Sequence, residues 1–404
     1  MNIKFIIPPS DFLIEQKVFP FLGVLYVAAY LEKNLIKSQV LDLSNETNLH
    51  ESLRNIKADI FGITSTTPQF PKAVEVLNNL KINNPQALFV IGGAHASCMP
   101  EDCIRVGFDI AVKGEGEKAF LDIVNHKIKD SIVQYPYETN IDEFPLPSRE
   151  LIDLKSYHFL MNNRETTTVL TSRGCPFDCK FCANSVWGKK VRFRSIENVI
   201  NEINVLKTKW GYDSIMFFDD TFAINPTRTA ALCNEIKKTK VIFRCFVRTD
   251  LIDYNTLKML KDSGCVEIGM GMESGSQEIL DKVSKKTTVE KGTQVVKWAH
   301  ELGLRAKAFL MIGLPGETKK TVNDTIQWLK ETRPDDYDIA IFIPYAGSDI
   351  YQNKQNYDIQ FDFDYSKSFY KGRFGELKSM VSTSDLSAEE ITMLRNQIYT
   401  TFKK

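Results

Sequence analysis

Residues 166–184 read TTTVLTSRGCPFDCKFCAN. A short apolar, β-branched run meets a glycine and then three cysteines spaced Cys-x3-Cys-x2-Cys, at Cys175, Cys179 and Cys182. The run reads as a strand, so the cysteines fall on the loop beyond its carboxyl end. Thiolates are soft ligands suited to zinc or iron–sulfur clusters. Structural zinc takes four ligands, usually as two spaced pairs, and no fourth Cys or His lies close in sequence. Three thiolates leave one iron of a [4Fe–4S] cube without a protein ligand, and an open iron can bind substrate. A zinc site finished by a distant ligand, or three unrelated cysteines, is the alternative.

Working outward, residues 166–345 repeat one pattern. Strand candidates at 166–171, 213–219, 241–247, 265–270, 305–312 and 338–343 alternate with helical patterns at 195–210, 226–237, 255–263, 289–302 and 318–331. Six β-α units predict a partial barrel with its site at the strand carboxyl ends, since a closed eight-fold barrel needs more chain. Residues 1–125 alternate in the same way. Apolar runs at 3–7, 38–43, 59–64, 87–92 and 109–113 predict a five-stranded, open parallel sheet, with helices such as 22–34 and 70–83 on its faces. The class is α/β. Ligands of such sheets bind beyond the strand carboxyl ends, where Pro8-Pro9, Ser65-Thr66-Thr67, Gly92-Gly93 and Gly114-Glu115-Gly116-Glu117 stand.

Residues 126–165, interrupted by Pro136, Pro145 and Pro147, read as a connector that packs across both domains. Residues 346–404 form a small C-terminal segment. Its aromatics (Phe361, Phe363, Tyr365, Phe369, Tyr370, Phe374) precede a final helix, which the Ser387/Glu390 capping box starts near 388. The aromatics are expected to form either a pocket wall or the packing of a small cap.

The composition suits a soluble globular protein: 43% hydrophobic, 25% charged, with Lys+Arg and Asp+Glu both 51. Zero net charge and no long basic run argue against a nucleic-acid binder. No run of about 18 apolar residues predicts a membrane span. The start, MNIKFIIPPSD, reads as a strand rather than a signal peptide, which predicts a cytoplasmic protein with reduced thiols. The scattered Cys98, Cys103, Cys233, Cys245 and Cys265 are expected to be buried small hydrophobes.

The cysteine loop after the first barrel strand resembles that of the radical S-adenosylmethionine enzymes. The resemblance implies a TIM-like (β/α)6 partial barrel whose [4Fe–4S] cluster, held by Cys175, Cys179 and Cys182, chelates S-adenosylmethionine. One electron then cleaves the sulfonium, and a 5′-deoxyadenosyl radical abstracts hydrogen from substrate. It also implies S-adenosylmethionine contacts. Phe181 meets adenine, and Asp219 and Asp220 meet the methionine amine; Arg248, beside Asp250, matches the Arg-x-Asp segment. Gly271, Glu273 and Ser274, with Ile312, Gly313, Leu314 and Pro315, match the segments that contact ribose and adenine. From the residues alone, Asp219 and Asp220 also fit a helix cap. Arg244 and Arg248, on one strand face, fit structural ion pairs as well as substrate contacts. No catalytic residue is assigned beyond the cluster ligands.

The N-terminal sheet resembles the Rossmann-like cobalamin (B12) domain of one subclass. The resemblance places cobalamin against Pro8, Pro9, Leu22, Gly23, Ser65, Thr66, Thr67, Gly92, Gly93, His95, Gly114, Glu115 and Glu117. The Asp-x-His-x-x-Gly loop that ligates cobalt in the best-known domains is absent, and His95 is poorly placed to replace it. The resemblance implies a methyltransferase acting on an unactivated carbon of a small molecule or natural-product precursor, served by a one-electron donor such as flavodoxin or ferredoxin. Two other readings fit the same residues: a radical cyclase, oxidase or rearrangement enzyme with an empty N-terminal domain, and a non-catalytic cobalamin or iron–sulfur sensor.

Overall fold

The computed structural model describes residues 1–369 and 375–402, so Tyr370 and Phe374 of the aromatic stretch lie outside the described residues. The chain condenses into two compact units. One holds Met1–His158 with Ala183–Arg192; the other holds Phe159–Cys182 and the chain from Phe193 onward.

In the first unit, strands β1 (Ile3–Ile7), β2 (Gln39–Asp42), β3 (Ile60–Thr64), β4 (Leu88–Gly92), β5 (Ile110–Lys113) and β6 (Ile132–Gln134) form one sheet. The order is β2-β1-β3-β4-β5-β6 and each pairing is parallel. Five of these are the strands expected from the apolar runs; the sixth comes from the connector. β6 has only three residues, too few to give a period; it pairs along the edge of β5 and adds Val133 to the core. Ile3, Phe5, Ile7, Val90 and Val112 join Ala119, Phe120 and Ile123 in the core. The Phe5 and Phe120 ring centroids are 4.8 Å apart. The chain reverses its direction of travel across the sheet between β1 and β3, and that switch point is where a parallel sheet opens a crevice at its carboxyl edge.

In the second unit, β7 (Leu160–Met161), β8 (Arg164–Val169), β9 (Ser214–Phe217), β10 (Ile242–Val247), β11 (Cys265–Glu273), β12 (Arg305–Ile312) and β13 (Asp336–Ile341) lie in chain order. β7 and β8 pair antiparallel, and the remaining pairings are parallel. Among the described residues β7 and β13 do not pair, so the curled sheet is a partial barrel. Side-chain polarity follows the pleat. On β12, Ala306, Ala308, Leu310 and Ile312 are buried, whereas Lys307, Phe309 and Met311 on the opposite face are only half-buried. That second face carries an ionic layer at the amino ends of the strands, with Arg244–Glu267 at 3.0 Å and Lys307–Asp336 at 2.7 Å. An aromatic layer, Phe218–Phe246–Phe309, follows. The site lies at the carboxyl ends.

The helices start where capping chemistry places them. Ser195, Asp253 and Thr318 accept backbone N–H groups at the heads of Ile196–Trp210, Tyr254–Asp262 and Lys319–Thr332. Ser387 and Glu390 make both bonds of the expected capping box before Ala388–Phe402. Tyr351 packs on Phe361 and Phe363, and Phe363 packs on Tyr365. Among the described residues, no helix is long and apolar enough to cross a membrane.

Candidate functional site

The cysteine loop is anchored at both ends by hydrogen bonds and an ion pair. At its base, Asp219 Oδ1 accepts from Thr171 N (3.0 Å), Thr171 Oγ1 (3.0 Å) and Ser172 Oγ (2.5 Å). Arg228 donates to the carbonyls of Thr171 and Arg194. At its far end, Lys180 N donates to Val283 O, Ile350 N donates to Lys180 O, and Lys180 Nζ pairs with Asp349 at 3.1 Å. These contacts fix both ends of the segment that carries the thiols.

Cys179 is buried, Cys175 half-buried and Cys182 exposed. Although Cys182 reaches solvent, it lies deep among neighbouring atoms. That burial, with Cys179, Asp220 and Cys175 adding negative charge, pushes its thiol up to about 12 while Lys285 opposes. Burial also raises the Cys175 thiol, assisted by Asp220 and Cys179. Thiols that hinder each other's ionisation are relieved by cationic iron, and binding expels their protons. Among the described residues, no three His, Cys, Asp or Glu side chains converge closely enough to hold a single ion. Three thiols on one loop are the donor set the expected [4Fe–4S] group takes, with one iron left without a protein ligand.

The two aspartates, adjacent in sequence, divide their roles. Asp219 is enclosed, with its carboxyl raised by burial, and it supports the loop. Its second oxygen, Oδ2, is buried without a hydrogen-bond partner. Asp220 points to the open side, near Cys175 and Cys182. Its side chain reaches solvent, yet surrounding protein and then Asp219 push its carboxyl up to about 6. A nearby ammonium group would draw that value down.

The end of β11 is irregular. Its register slips between Gly271 and Glu273, and Glu273 has φ +63°, a left-handed conformation costly for a residue with a side chain. The result aims the Glu273 carboxylate at Lys285 Nζ, 2.6 Å away, with both side chains buried. Gly271 makes room for this pair, since a Cβ there would sit 2.7 Å from Lys285 Nζ. Lys285 also lies 5.7 Å from the Phe181 ring centre. Sequence reasoning missed Lys285. It stands in SKKTT, between helices, and nothing local marks it off from a solvated lysine. Ser274 turns inward, its hydroxyl accepting from Ser276 N and facing Thr325.

Arg248 turns to the cysteine loop. Its Nη1 lies 3.2 Å from Cys179 Sγ, and its guanidinium stacks 3.6 Å from the Phe177 ring centre. Ile312, Gly313, Leu314 and Pro315 are all buried. The carboxylate after them, Glu317, is fully enclosed, accepts from Gly313 N at 2.5 Å, and leaves Oε1 without a hydrogen-bond partner. Burial raises its pKa to about 8 from 4.5, so the native state keeps a proton near pH 7 that the unfolded chain releases. Unfolding therefore becomes easier as pH rises from about 4.5 to about 8, by about 1.4 kcal/mol per pH unit from this group. Glu317→Gln is expected to remove that slope. Urea unfolding of both proteins at several pH values across the window checks it, and equal slopes would contradict the assignment.

In the first unit, the strand-end loops are tied to one another. Gln69, missed in the sequence, donates to Pro8 O and Ser10 Oγ and accepts from Thr66 N. Ser65 N donates to Gly92 O, and His95 N donates to Ser65 O. Ser97 Oγ donates to Gly93 O and accepts from Gly114 N. A Cβ added at Gly23 or Gly92 would meet nothing within 4 Å, so both leave open space at this rim, as close approach of a bulky ligand to backbone requires. His95 is wholly enclosed, 3.8 Å from the Phe70 ring centre, and burial holds its pKa near 4. It packs the rim as a neutral ring. Glu115 is committed to Arg192 Nη1 at 2.8 Å and Glu138 N at 3.2 Å, and Glu117 is buried. Pro8, Pro9, Leu22, Ser65 and Thr67 are buried around the same rim, and Thr66 is exposed.

Comparison with known proteins matches both units. The radical SAM superfamily model matches residues 169–329, and the B12 binding domain model matches residues 16–124. The chain is 28% identical to an uncharacterised methyltransferase of Pyrococcus horikoshii, over 100% of this chain and 92% of that protein. It is 26% identical to the anaerobic magnesium-protoporphyrin IX monomethyl ester cyclase of Rubrivivax gelatinosus, over 86% of this chain and 68% of that protein. Among solved structures, the radical S-adenosylmethionine methyltransferase TsrM of Kitasatospora setae, with cobalamin and a [4Fe-4S] cluster bound, superposes with a TM-score of 0.71. At 17% identity, over 89% of this chain and 77% of that one, it shares the fold.

Proposed function

We propose that the chain, which belongs to the radical S-adenosylmethionine superfamily and carries an N-terminal B12 binding domain, is a cobalamin-dependent methyltransferase acting on an unactivated carbon of a small molecule. The observation that carries this reading is the three-thiol loop, anchored at its base by Asp219 and at its far end by Lys180 and their partners. The end-to-end match to a methyltransferase relative supports methyl transfer as the outcome.

When bound, the cluster supplies the electron that cleaves S-adenosylmethionine, and cobalamin supplies a carrier for the methyl group. The residues of the chain bind and orient. Cys175, Cys179 and Cys182 hold the cluster. Asp220 accepts hydrogen bonds from the methionine ammonium, which keeps that carboxyl ionised. Phe181 and Gly271 border the nucleoside, and the buried Lys285–Glu273 pair sets one wall with a fixed charge pattern. In the first unit, Pro8, Pro9, Gly23, Ser65, Thr66, Thr67, Gly92 and Gly93 hold cobalamin at the open rim. A flavodoxin or ferredoxin supplies electrons.

Anaerobically reconstituted protein is expected to contain about four iron and four sulfide per chain and to retain hydroxocobalamin through gel filtration. With methyl-labelled S-adenosylmethionine and a reductant, label should appear on carbon in a product from an extract of small molecules. Cluster formation without cobalamin retention or methylated product would overturn the methyltransferase reading.

A further inference from the structure

The Arg248 guanidinium is built into the cysteine loop from several sides. Nε donates to Asp250 Oδ1 at 3.1 Å and Nη2 to Asp250 Oδ2 at 3.0 Å, a two-point grip that fixes the plane of the fork. Nη2 also donates to Lys285 O at 2.6 Å. The face of the group lies on Phe177, two residues after the first cysteine of the loop. What remains is Nη1, aimed at Cys179 Sγ at 3.2 Å, with the Arg248 side chain only 7% exposed. Cys179 is the most enclosed of the three thiols. A cation so oriented, in a water-poor setting, has a strong electrostatic effect on the sulfur it touches.

Hydrogen bonds to cluster sulfurs, net charge and solvent exposure set iron–sulfur potentials. The cluster gains one negative charge when an external one-electron donor reduces it, and a charged N–H donor at a ligand sulfur stabilises that reduced form. We propose that Arg248 is a positioning residue that raises the reduction potential of the cluster by donating to Cys179 Sγ, and that Asp250 moderates it by neutralising part of the guanidinium charge. This rests on the cluster assignment made above and goes beyond it in naming what tunes the electron transfer.

The two partners give opposite signs. The test is an EPR-monitored potentiometric titration of the reconstituted full chain without S-adenosylmethionine, with iron counted in each sample. For Arg248→Gln, the reduced-to-oxidised ratio at a fixed ambient potential is expected to fall at least tenfold, which is about 59 mV for one electron. Arg248→Lys, which keeps charge but loses the fork, should fall by less. Asp250→Asn should shift the midpoint the other way, toward easier reduction. A merely structural role would lower iron content without moving the midpoint of the clusters that form, and that result overturns the proposal. Should Arg248→Gln hold no iron, Asp250→Asn decides: an upward shift supports the tuning role, and an unchanged or lowered midpoint refutes it. If the unaltered protein itself assembles no cluster, the functional reading falls before this one is reached.

Discussion

Alanine at Cys175, Cys179 and Cys182 together is expected to abolish both cluster absorbance and 5′-deoxyadenosine formation, while the chain stays folded. The loss should be complete because the substitutions remove every thiol the loop offers. Folding should survive because the contacts at both ends of the loop do not involve the three thiols. Asp219 grips its base through three hydrogen bonds, and Lys180 secures its far end through backbone and ion-pair contacts. Circular dichroism checks the second half of the expectation; iron analysis and product chromatography check the first. Deoxyadenosine made by the triple variant under reducing, anaerobic conditions would sink the radical assignment.

The second large effect is on stability. Arg192→Met should destabilise the protein by about 3–5 kcal/mol, the range for removing one partner from a buried ion pair. The Arg192 and Glu115 side chains are 2% and 7% exposed and 2.8 Å apart. The guanidinium also donates to the carbonyls of Glu138 and Trp187 and lies over Tyr137. Its loss strands the Glu115 carboxylate and releases the segment Ala183–Arg192 from the β5 loop. Pairing it with Glu115→Gln should recover a substantial part, since the stranded charge is then gone. Denaturant unfolding of the single and double variants measures both. A single-variant loss below about 1 kcal/mol would mean the pair behaves like a solvent-screened one.

Much of the fold was legible because its signals are local. Buried parallel strands are short apolar runs, and the expected strands of both units appear within a few residues of their predicted ends. Caps at Ser195, Asp253, Thr318 and Ser387 act over a few residues and mark helix starts directly. β6 was missed because a three-residue edge strand leaves no periodicity.

The candidate site was legible only in part. The cysteines stand out in the sequence because their signal is a spacing along one loop. Roles that depend on side-chain direction could not be read in the same way. Asp219 and Asp220 are neighbours at a strand end, where successive side chains point to opposite sides, so one supports the loop and the other faces outward. His95, which the resemblance places against cobalamin, is packed against Phe70.

By itself, then, the sequence determined that a three-thiolate loop follows the first strand of a six-unit α/β repeat, and that a parallel sheet with glycine-rich strand ends precedes it. Only the tertiary structure decided which charged groups meet those thiols. Arg248 reaches Cys179 across 69 positions, and Lys285 reaches Glu273 from a separate loop. It also assigned Ala183–Arg192, bonded directly to Cys182, to the N-terminal unit. The physical reason is the same in each case. A buried charge must find a partner, and the partner is whichever opposite charge or donor the packed chain brings within about 3 Å.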